Sequence, residues 1–247
     1  MDNPFSLQNR RILVTGASSG IGRECCIRIA SQGGMVVATG RNEQRLQATL
    51  SLLSGQGHSS FTGDLWELVS SGNLKTLLPE LDGIVHSAGV TKIVPVKLLN
   101  EATVREIMRT NYEAPVMLTQ QLLKNRQLRA GASVVFIASV AARIANKGNS
   151  VYAGSKGALC SFARVLALEV APQRIRVNTL CPGLVKTPFT GPDGPISESM
   201  LVEYEKLYPL GFGEVSDVAN AAVYFLSPAS RWLTGTELVL DGGLTIA

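Results

Sequence analysis

Long uninterrupted runs of any one kind are missing from this sequence, and each gap excludes a class of protein. No apolar stretch approaches the ~20 residues that span a bilayer. The most apolar one, residues 134–145, is broken by Ser139 and Arg143, so no membrane partner is expected. Residues 1–8 are polar and lack the apolar centre of a secretion signal. Cysteine is scarce: Cys25, Cys26, Cys160 and Cys181 show no metal-ligand spacing, and the adjacent pair is poorly placed for a disulfide. Free buried thiols in a reducing compartment, the cytoplasm, are the expectation, with no metal. The two histidines, His58 and His86, have no sequence partners that suggest a metal site either. Charge is dispersed, with 23 Lys and Arg against 19 Asp and Glu for a net of +4. Without a basic stripe or interleaved aromatics, nucleic acid is not an expected partner. A mild basic surplus suits an anionic cofactor or substrate instead. No linker, repeat or low-complexity segment divides the chain, so residues 1–247 read as one domain.

What is present is a regular alternation. Short apolar runs at 12–15, 35–39, 83–86, 134–138, 176–180 and 237–240 read as buried strands. Between them, 22–31, 43–53, 101–124, 150–170 and 216–226 carry apolar residues at helical spacing. Strand–helix alternation of this kind predicts an α/β fold, a doubly wound parallel sheet of Rossmann type with helices on both faces. Ligands of such sheets bind beyond the carboxyl ends of the strands, where strand order reverses. Residues 182–195 hold four prolines and three glycines and lead into a short candidate helix at 197–208. Because this segment follows a strand, a substrate lid over about 184–212 is expected, against the plainer reading of a surface insertion.

The first strand runs into Thr15-Gly16-Ala17-Ser18-Ser19-Gly20-Ile21-Gly22, and a helix follows. Glycines let the backbone turn sharply and approach a pyrophosphate, whose charge the helix N–H groups attract. The spacing is G-x-x-x-G-x-G, and its place after the first strand of a βαβ unit is what gives it weight. Gly16, Ser18, Ser19, Gly20 and Ile21 are the candidate contacts. The second strand ends at Gly40-Arg41-Asn42. A carboxylate here would bind the ribose hydroxyls of NAD, whereas an arginine suits the 2′-phosphate of NADP. Arg41, with Asn42 beside it, therefore selects NADP(H) over NAD, unless it is an ordinary solvated charge. Asp64, after the third strand, is placed to accept from the adenine amine, with Leu65 packing beside it.

Ser139 follows the fifth strand, Tyr152 comes thirteen positions later, and Lys156 four after that. Positions i and i+4 share a helix face, so the phenol and the ammonium are neighbours. A nearby positive charge is expected to draw the tyrosine down from about 10 towards working pH, as proton transfer to a carbonyl oxygen requires.

Taken together, these motifs resemble the short-chain dehydrogenase/reductases, 3-oxoacyl-carrier-protein reductases among them. The likeness rests on Thr15 to Gly22, Asp64, Ala88-Gly89, Asn111, Ser139, Tyr152-Ala-Gly-Ser-Lys156, Asn178, Pro182-Gly183, Thr187 and Asp241-Gly-Gly243. It implies a sheet of seven strands ordered 3-2-1-4-5-6-7 and nicotinamide-dependent chemistry at a carbonyl/hydroxyl carbon. Tyr152 would give the proton and Ser139 would hold the carbonyl. Lys156 would bind the nicotinamide ribose, and Asn111 would anchor a water linking the lysine to solvent, breaking its helix locally. Ala88 and Gly89 would line the cofactor, while Pro182, Gly183, Val185 and Thr187 would shape the nicotinamide pocket. Such proteins are usually dimers or tetramers, with the long helices and C-terminal strand in the interfaces. One departure is His86-Ser87-Ala88-Gly89 where the family usually has Asn-Asn-Ala-Gly. His86 would tie neighbouring strands together or, alternatively, add a titratable group near the adenosine.

The leading reading is an NADP(H)-dependent reductase of a small-molecule carbonyl or acyl substrate. Alternatives are a hydroxysteroid- or polyol-type alcohol dehydrogenase running oxidatively, and a catalytically silent NADP sensor. Enoyl reductases of this family usually separate the tyrosine and lysine more widely. Expected pocket residues are Val90, Thr91, Val140, Ala141, Leu184, Phe189 and Tyr204, an apolar set without a charged anchor, which suits a ketone or acyl chain. Arg129 and Arg174 are candidates for meeting an acidic carrier protein.

Overall fold

The computed structural model describes residues 3–72, 74–187 and 198–247. Its elements in chain order are β1 (Arg11–Thr15), α1 (Gly20–Ser31), β2 (Met35–Gly40), α2 (Glu43–Leu50), β3 (Ser59–Thr62), α3 (Leu65–Ser70), α4 (Leu74–Leu77), β4 (Leu81–His86), α5 (Glu101–Met108), α6 (Ala114–Lys124), β5 (Leu128–Ile137), α7 (Ser150–Val170), β6 (Arg176–Pro182), β7 (Val185–Lys186), α8 (Glu198–Glu205), β8 (Gly213–Glu214), α9 (Val215–Leu226) and β9 (Glu237–Leu240).

Seven strands form one sheet in the order β3-β2-β1-β4-β5-β6-β9, every pair parallel. The seventh place goes to β9 because the two-residue strands β7 and β8 pair with each other outside the sheet. Strand order reverses between β1 and β4, and the carboxyl ends of those strands define the binding edge. No helix among the described residues is long and apolar enough to cross a membrane.

Alternation along each strand sorts the core into two layers. Ile12 and Val14 join one cluster with α1 and α9, while Leu13 between them joins the other with α6 and α7. Val135 and Ile137 face the first layer, Val134 and Phe136 the second. Each such side chain, withdrawn fully from water, contributes about 1.5–3 kcal/mol. The 21-residue α7 buries Lys156, Leu159, Cys160, Ala163, Leu166, Ala167 and Val170, the three-and-four spacing of a helix stripe. Asn178 clips β9 in place, donating to the Leu233 carbonyl at 3.0 Å and accepting from Thr236 N–H at 3.1 Å.

β3 reads Ser-Ser-Phe-Thr and gives the core only Phe61, because an edge strand needs no apolar run. α3 and α4 go beyond the expected helices, and α1 begins at Gly20, two residues early. The expected helix 101–124 is instead α5 and α6 joined through a π-helical turn, Arg109–Glu113, that contains Asn111. Pro115 lies four residues after Asn111 and has no N–H to bond its carbonyl, so the regular ladder fails at this point. Most of the expected lid, 188–197, and Phe189 with it, lies outside the described residues.

Candidate active site

The glycine-rich turn is built for close backbone approach. Gly16 has φ +68°, and a Cβ there would sit 2.8 Å from Ala88 Cα. A Cβ on Gly22 would sit 2.3 Å from the Gly16 carbonyl oxygen. Thr15 Oγ1 accepts from the N–H groups of Ser87 and Ala88, both at 3.1 Å, joining the ends of β1 and β4 at the reversal point. Ser19 precedes α1, but its side chain does not cap the helix, and the first turn carries no acid. The N–H groups at that end are therefore left for an anion. Sequence reasoning missed the brace beneath: Arg23 Nη2 donates to Ser18 O at 2.6 Å and its Nε to Thr49 Oγ1 at 3.2 Å. Thr49 in turn donates to Ala17 O at 2.9 Å.

A cleft of about 300 Å³ runs over this turn and is lined by Gly16, Ser18, Ser19, Gly20, Ile21, Arg41, Asp64, Leu65, Ala88 and Gly89. Arg41 is exposed at its lip and has no ion-pair or hydrogen-bond partner among the described residues. A Cβ on Gly40 would lie 3.3 Å from Ser18 Oγ, so a side chain at that position needs only a small shift of Ser18. Asn42 is not brought into the cleft: its side chain caps α2, accepting from Arg45 N–H at 2.8 Å. Asp64 lines the cleft but also caps α3, one carboxylate oxygen accepting from Trp66 N–H at 2.9 Å and Glu67 N–H at 3.3 Å.

A second cleft of about 400 Å³ meets the first at Ile21, Ser87, Gly89, Val90 and Thr187. Ser139, Tyr152, Lys156, Pro182, Gly183, Val185 and Thr187 line it. Ser139 opens a short turn and accepts from Ala141 N–H at 3.1 Å, which directs its hydroxyl to the Tyr152 phenol, with which it hydrogen-bonds. Lys156 Nζ is 5.7 Å from the Tyr152 ring centroid and donates to the Ile137 carbonyl at 2.8 Å. Asn111 accepts from Val90 N–H at 2.8 Å and donates to Val90 O at 2.9 Å and Ser155 Oγ at 3.1 Å. Gly89 keeps this corner open, since a Cβ there would be 3.3 Å from Asn111 Oδ1 and 3.5 Å from Lys156 Nζ.

The electrostatics differ from the expectation. Burial raises the Tyr152 phenol above its ordinary value of 10.0, and the Ser139 hydrogen bond only opposes this. Lys156 does not draw it down, because the ammonium is aimed at a backbone carbonyl and is itself desolvated. Burial lowers Lys156 to about 8, so near neutral pH it still carries its charge.

Of the expected substrate residues, Val90, Thr91, Val140, Ala141, Leu184 and Tyr204 line the second cleft. The structure adds Ile93, Ile144, Asn146, Lys147, Asn149, Leu207, Tyr208 and Leu244. Their places after β4, between Ser139 and Tyr152, or after β7 were the only available signal. Lys147 revises the picture of a pocket with no charged anchor. Arg129 and Arg174 lie at the amino ends of β5 and β6, the opposite edge of the sheet from Ser139. At about 3.3 Å per residue, β5 alone separates Arg129 from the site by roughly 25 Å. Arg129 also pairs with Glu80 at 3.0 Å and Asp82 at 3.5 Å. A carrier docked there would not reach this pocket.

His86 is buried in the sheet, stacked on Phe136 with centroids 4.7 Å apart and rings 7° from parallel. Thr119 spends its hydroxyl hydrogen on the Pro115 carbonyl at 2.8 Å, so it accepts from His86 Nε2 at 2.9 Å. Nδ1 has no partner among the described residues, and burial lowers the ring to about 3. His86 thus ties β4 to α6 as a neutral ring. Cys160, Cys181 and Glu237, distant in sequence, bring their ligand atoms within 4.8 Å of one another. The carboxylate of this group is already paired with Arg143 and Arg164.

A family model described as enoyl-(acyl carrier protein) reductase matches residues 16–245. The 3-oxoacyl-[acyl-carrier-protein] reductase FabG of Chlamydia pneumoniae is 29% identical over 249 residues, covering 98% of this chain and 99% of that protein. A putative short-chain alcohol dehydrogenase from Sinorhizobium meliloti 1021 has a TM-score of 0.89 at 28% identity, covering 99% of this chain and 100% of that one. A putative 2-deoxy-D-gluconate 3-dehydrogenase from Agrobacterium tumefaciens, with bound NADP, has a TM-score of 0.88 at 27% identity, covering 100% of both chains. With the sheet order, the glycine turn and the Ser139–Tyr152–Lys156 cluster already in place, these likenesses establish that the chain belongs to the short-chain dehydrogenase/reductase family of oxidoreductases, acting at CH–OH/C=O groups.

Proposed function

We propose that this protein is an NADP(H)-dependent reductase of a carbonyl or 3-oxoacyl compound, with Tyr152 as the proton donor. The observation that carries it is the Tyr152–Ser139 hydroxyl pair, half-buried in a pocket that opens directly onto the glycine cradle. Gly16 and Gly20, at φ +68° and +53°, with the uncapped start of α1, fit a pyrophosphate held by Ser18, Ser19 and Ile21. Arg41, with no partner among the described residues, would hold the 2′-phosphate, and Asp64, Leu65, Ala88 and Gly89 would line the adenosine side. The NADP-bound Agrobacterium neighbour supports that cofactor. Gly89 and Thr187, which line both clefts, would hold a nicotinamide that supplies the hydride. Ser139 holds the carbonyl oxygen, and Tyr152 releases its phenolic proton to that oxygen as charge develops there. Lys156, one helical turn from the phenol, would with Asn111 replenish the proton. Pro182, Gly183, Val185 and Thr187 fix the depth of the pocket.

The same groups run in reverse for alcohol oxidation; NADP rather than NAD favours reduction. Tyr152 and Lys156 lie one helical turn apart with a serine on the phenol, an arrangement for delivering a proton to oxygen and so for a carbonyl rather than an enoyl substrate. Exposed apolar side chains on the outer face of α7, Val165 and Leu168 at 57% and 79% exposed, support a homodimer or homotetramer, and the buried free thiols Cys25, Cys26, Cys160 and Cys181 suit the reducing cytoplasm. The protein acts as one domain, and Leu184, Tyr204, Leu207 and Tyr208 from the described parts of the 184–212 segment wall the substrate cleft. NADPH oxidation screened over 3-oxoacyl thioesters, cyclic ketones, quinones and keto-sugars tests the reading. Tight NADPH binding with no oxidation in any class would favour the sensor instead.

A further inference from the structure

Among its described lining residues the substrate pocket carries charge of one sign only: two lysines, Lys156 and Lys147, and no carboxylate. Lys156 is buried and donates to the Ile137 carbonyl. Lys147 is exposed and has no ion pair or hydrogen bond among the described residues, unlike Lys92, Lys186 and Lys206, which pair with Glu106, Glu214 and Glu203. Its loop is fixed in place. Gly148 takes φ +80°, and a Cβ there would sit 2.8 Å from Ile93 Cγ2, so only glycine lets the loop pack this closely. The Gly148 carbonyl accepts from Val94 N–H at 2.8 Å, and Thr91 Oγ1 donates to Asn149 Oδ1 at 3.4 Å. These contacts pin the loop that carries Lys147 against the wall of the pocket. Thr91, Asn146 and Asn149 make the same rim polar, while Val140, Ile144 and Leu244 leave the rest apolar.

Resting on the oxidoreductase reading, we propose that the substrate is a carbonyl compound bearing an anionic oxygen group, carboxylate or phosphate, and that Lys147 selects it. An exposed, unpaired ammonium needs little desolvation before it meets an anion. The absence of any acid in the described lining removes the competitor that would otherwise neutralise it. Such a contact sets KM and leaves the hydride and proton steps at Ser139 and Tyr152 untouched.

Two matched pairs test this: 4-oxopentanoate against its methyl ester, and fructose 6-phosphate against fructose. Binding to the NADP⁺-loaded protein is measured by ligand-observed NMR, and NADPH oxidation is followed in parallel. The anionic member of at least one pair should bind better than its neutral partner; which pair responds separates carboxylate from phosphate. Lys147→Gln should weaken that anion about five- to ten-fold, somewhat above the usual strength of an exposed ion pair. It should leave the neutral partner within about two-fold, whereas Lys147→Arg should retain most of the affinity. Neutral members binding as well as the anions in both pairs, or Lys147→Gln weakening both members equally, overturns the proposal. Lys147-dependent anion binding without turnover of any carbonyl would instead sink the oxidoreductase reading and leave the anion site standing.

Discussion

Arg41→Ala tests the proposed preference for NADP(H). The guanidinium lies at the lip of the nucleotide cleft, exposed and unpaired among the described residues, so removing it breaks no internal contact there and leaves no buried charge behind. Hydrogen bonds to charged groups contribute about 1.5–3 kcal/mol when sheltered, and exposed ion pairs about 0–1 kcal/mol. A bidentate contact at the lip falls between these, near 1.4 kcal/mol, or about ten-fold in Kd. NADPH affinity should fall by that factor while NADH affinity changes less than two-fold. Because the contact faces solvent, the difference should shrink between about 0.01 M and 0.15 M salt, as the screening length drops from roughly 30 to 8 Å. Gly40→Asp with Arg41→Ala should go further and reverse the preference. The new Cβ lies 3.3 Å from Ser18 Oγ and 3.5 Å from Leu46 Cδ2, which those side chains can absorb with small shifts. Fluorescence titration of both cofactors at the two salt concentrations gives the answer. Equal losses for NADPH and NADH in Arg41→Ala, or a gap that salt leaves unchanged, would refute the 2′-phosphate assignment.

Tyr152→Phe should retain NADPH binding yet lose at least about a hundred-fold in turnover, the usual worth of a positioned acid; near-normal rates would remove Tyr152 from the chemistry. Lys156→Met should stabilise the cofactor-free protein while abolishing activity. The folded lysine titrates at about 8 against an ordinary 10.5, so the unfolded chain binds more protons between those values. Stability should therefore rise with pH through that window, and the penalty below it is about 3 kcal/mol at 1.36 kcal/mol per pH unit; a less stable Met variant by calorimetry would show that Lys156 is not penalised by burial. His86, at about 3 against an ordinary 6.5, works in the acid range. The unfolded histidine takes up its proton first as pH falls from 6.5 towards 3, so stability should drop across that interval. His86→Asn should flatten the slope in denaturant titrations at successive pH values, and an unchanged slope would mean that other groups govern acid sensitivity.

Residues close in sequence or bound to a strand end were legible from the chain alone. Short apolar runs alternating with stretches of period-3.6 spacing indicated the parallel sheet with helices on both faces, since a strand covered on both sides is apolar throughout and a helix stripe imposes that spacing. Gly16, Gly20 and Gly22 announced a tight backbone turn, and Tyr152 with Lys156 one turn of α7, because each geometry is local. Tertiary packing decided the rest. β3 escaped its pattern as a half-exposed edge, and Asn42 and Asp64 turned out to be helix caps, a competition for their oxygens that only folded backbone reveals. The Tyr152 titration reversed direction because burial, a property of the whole fold, outweighs a neighbour one turn away. Lys147 entered the pocket only because Gly148 packs on Ile93, a contact between loops more than fifty residues apart. Chain order thus specified which reaction groups exist, while the packing of loops from different strands determined what surrounds them.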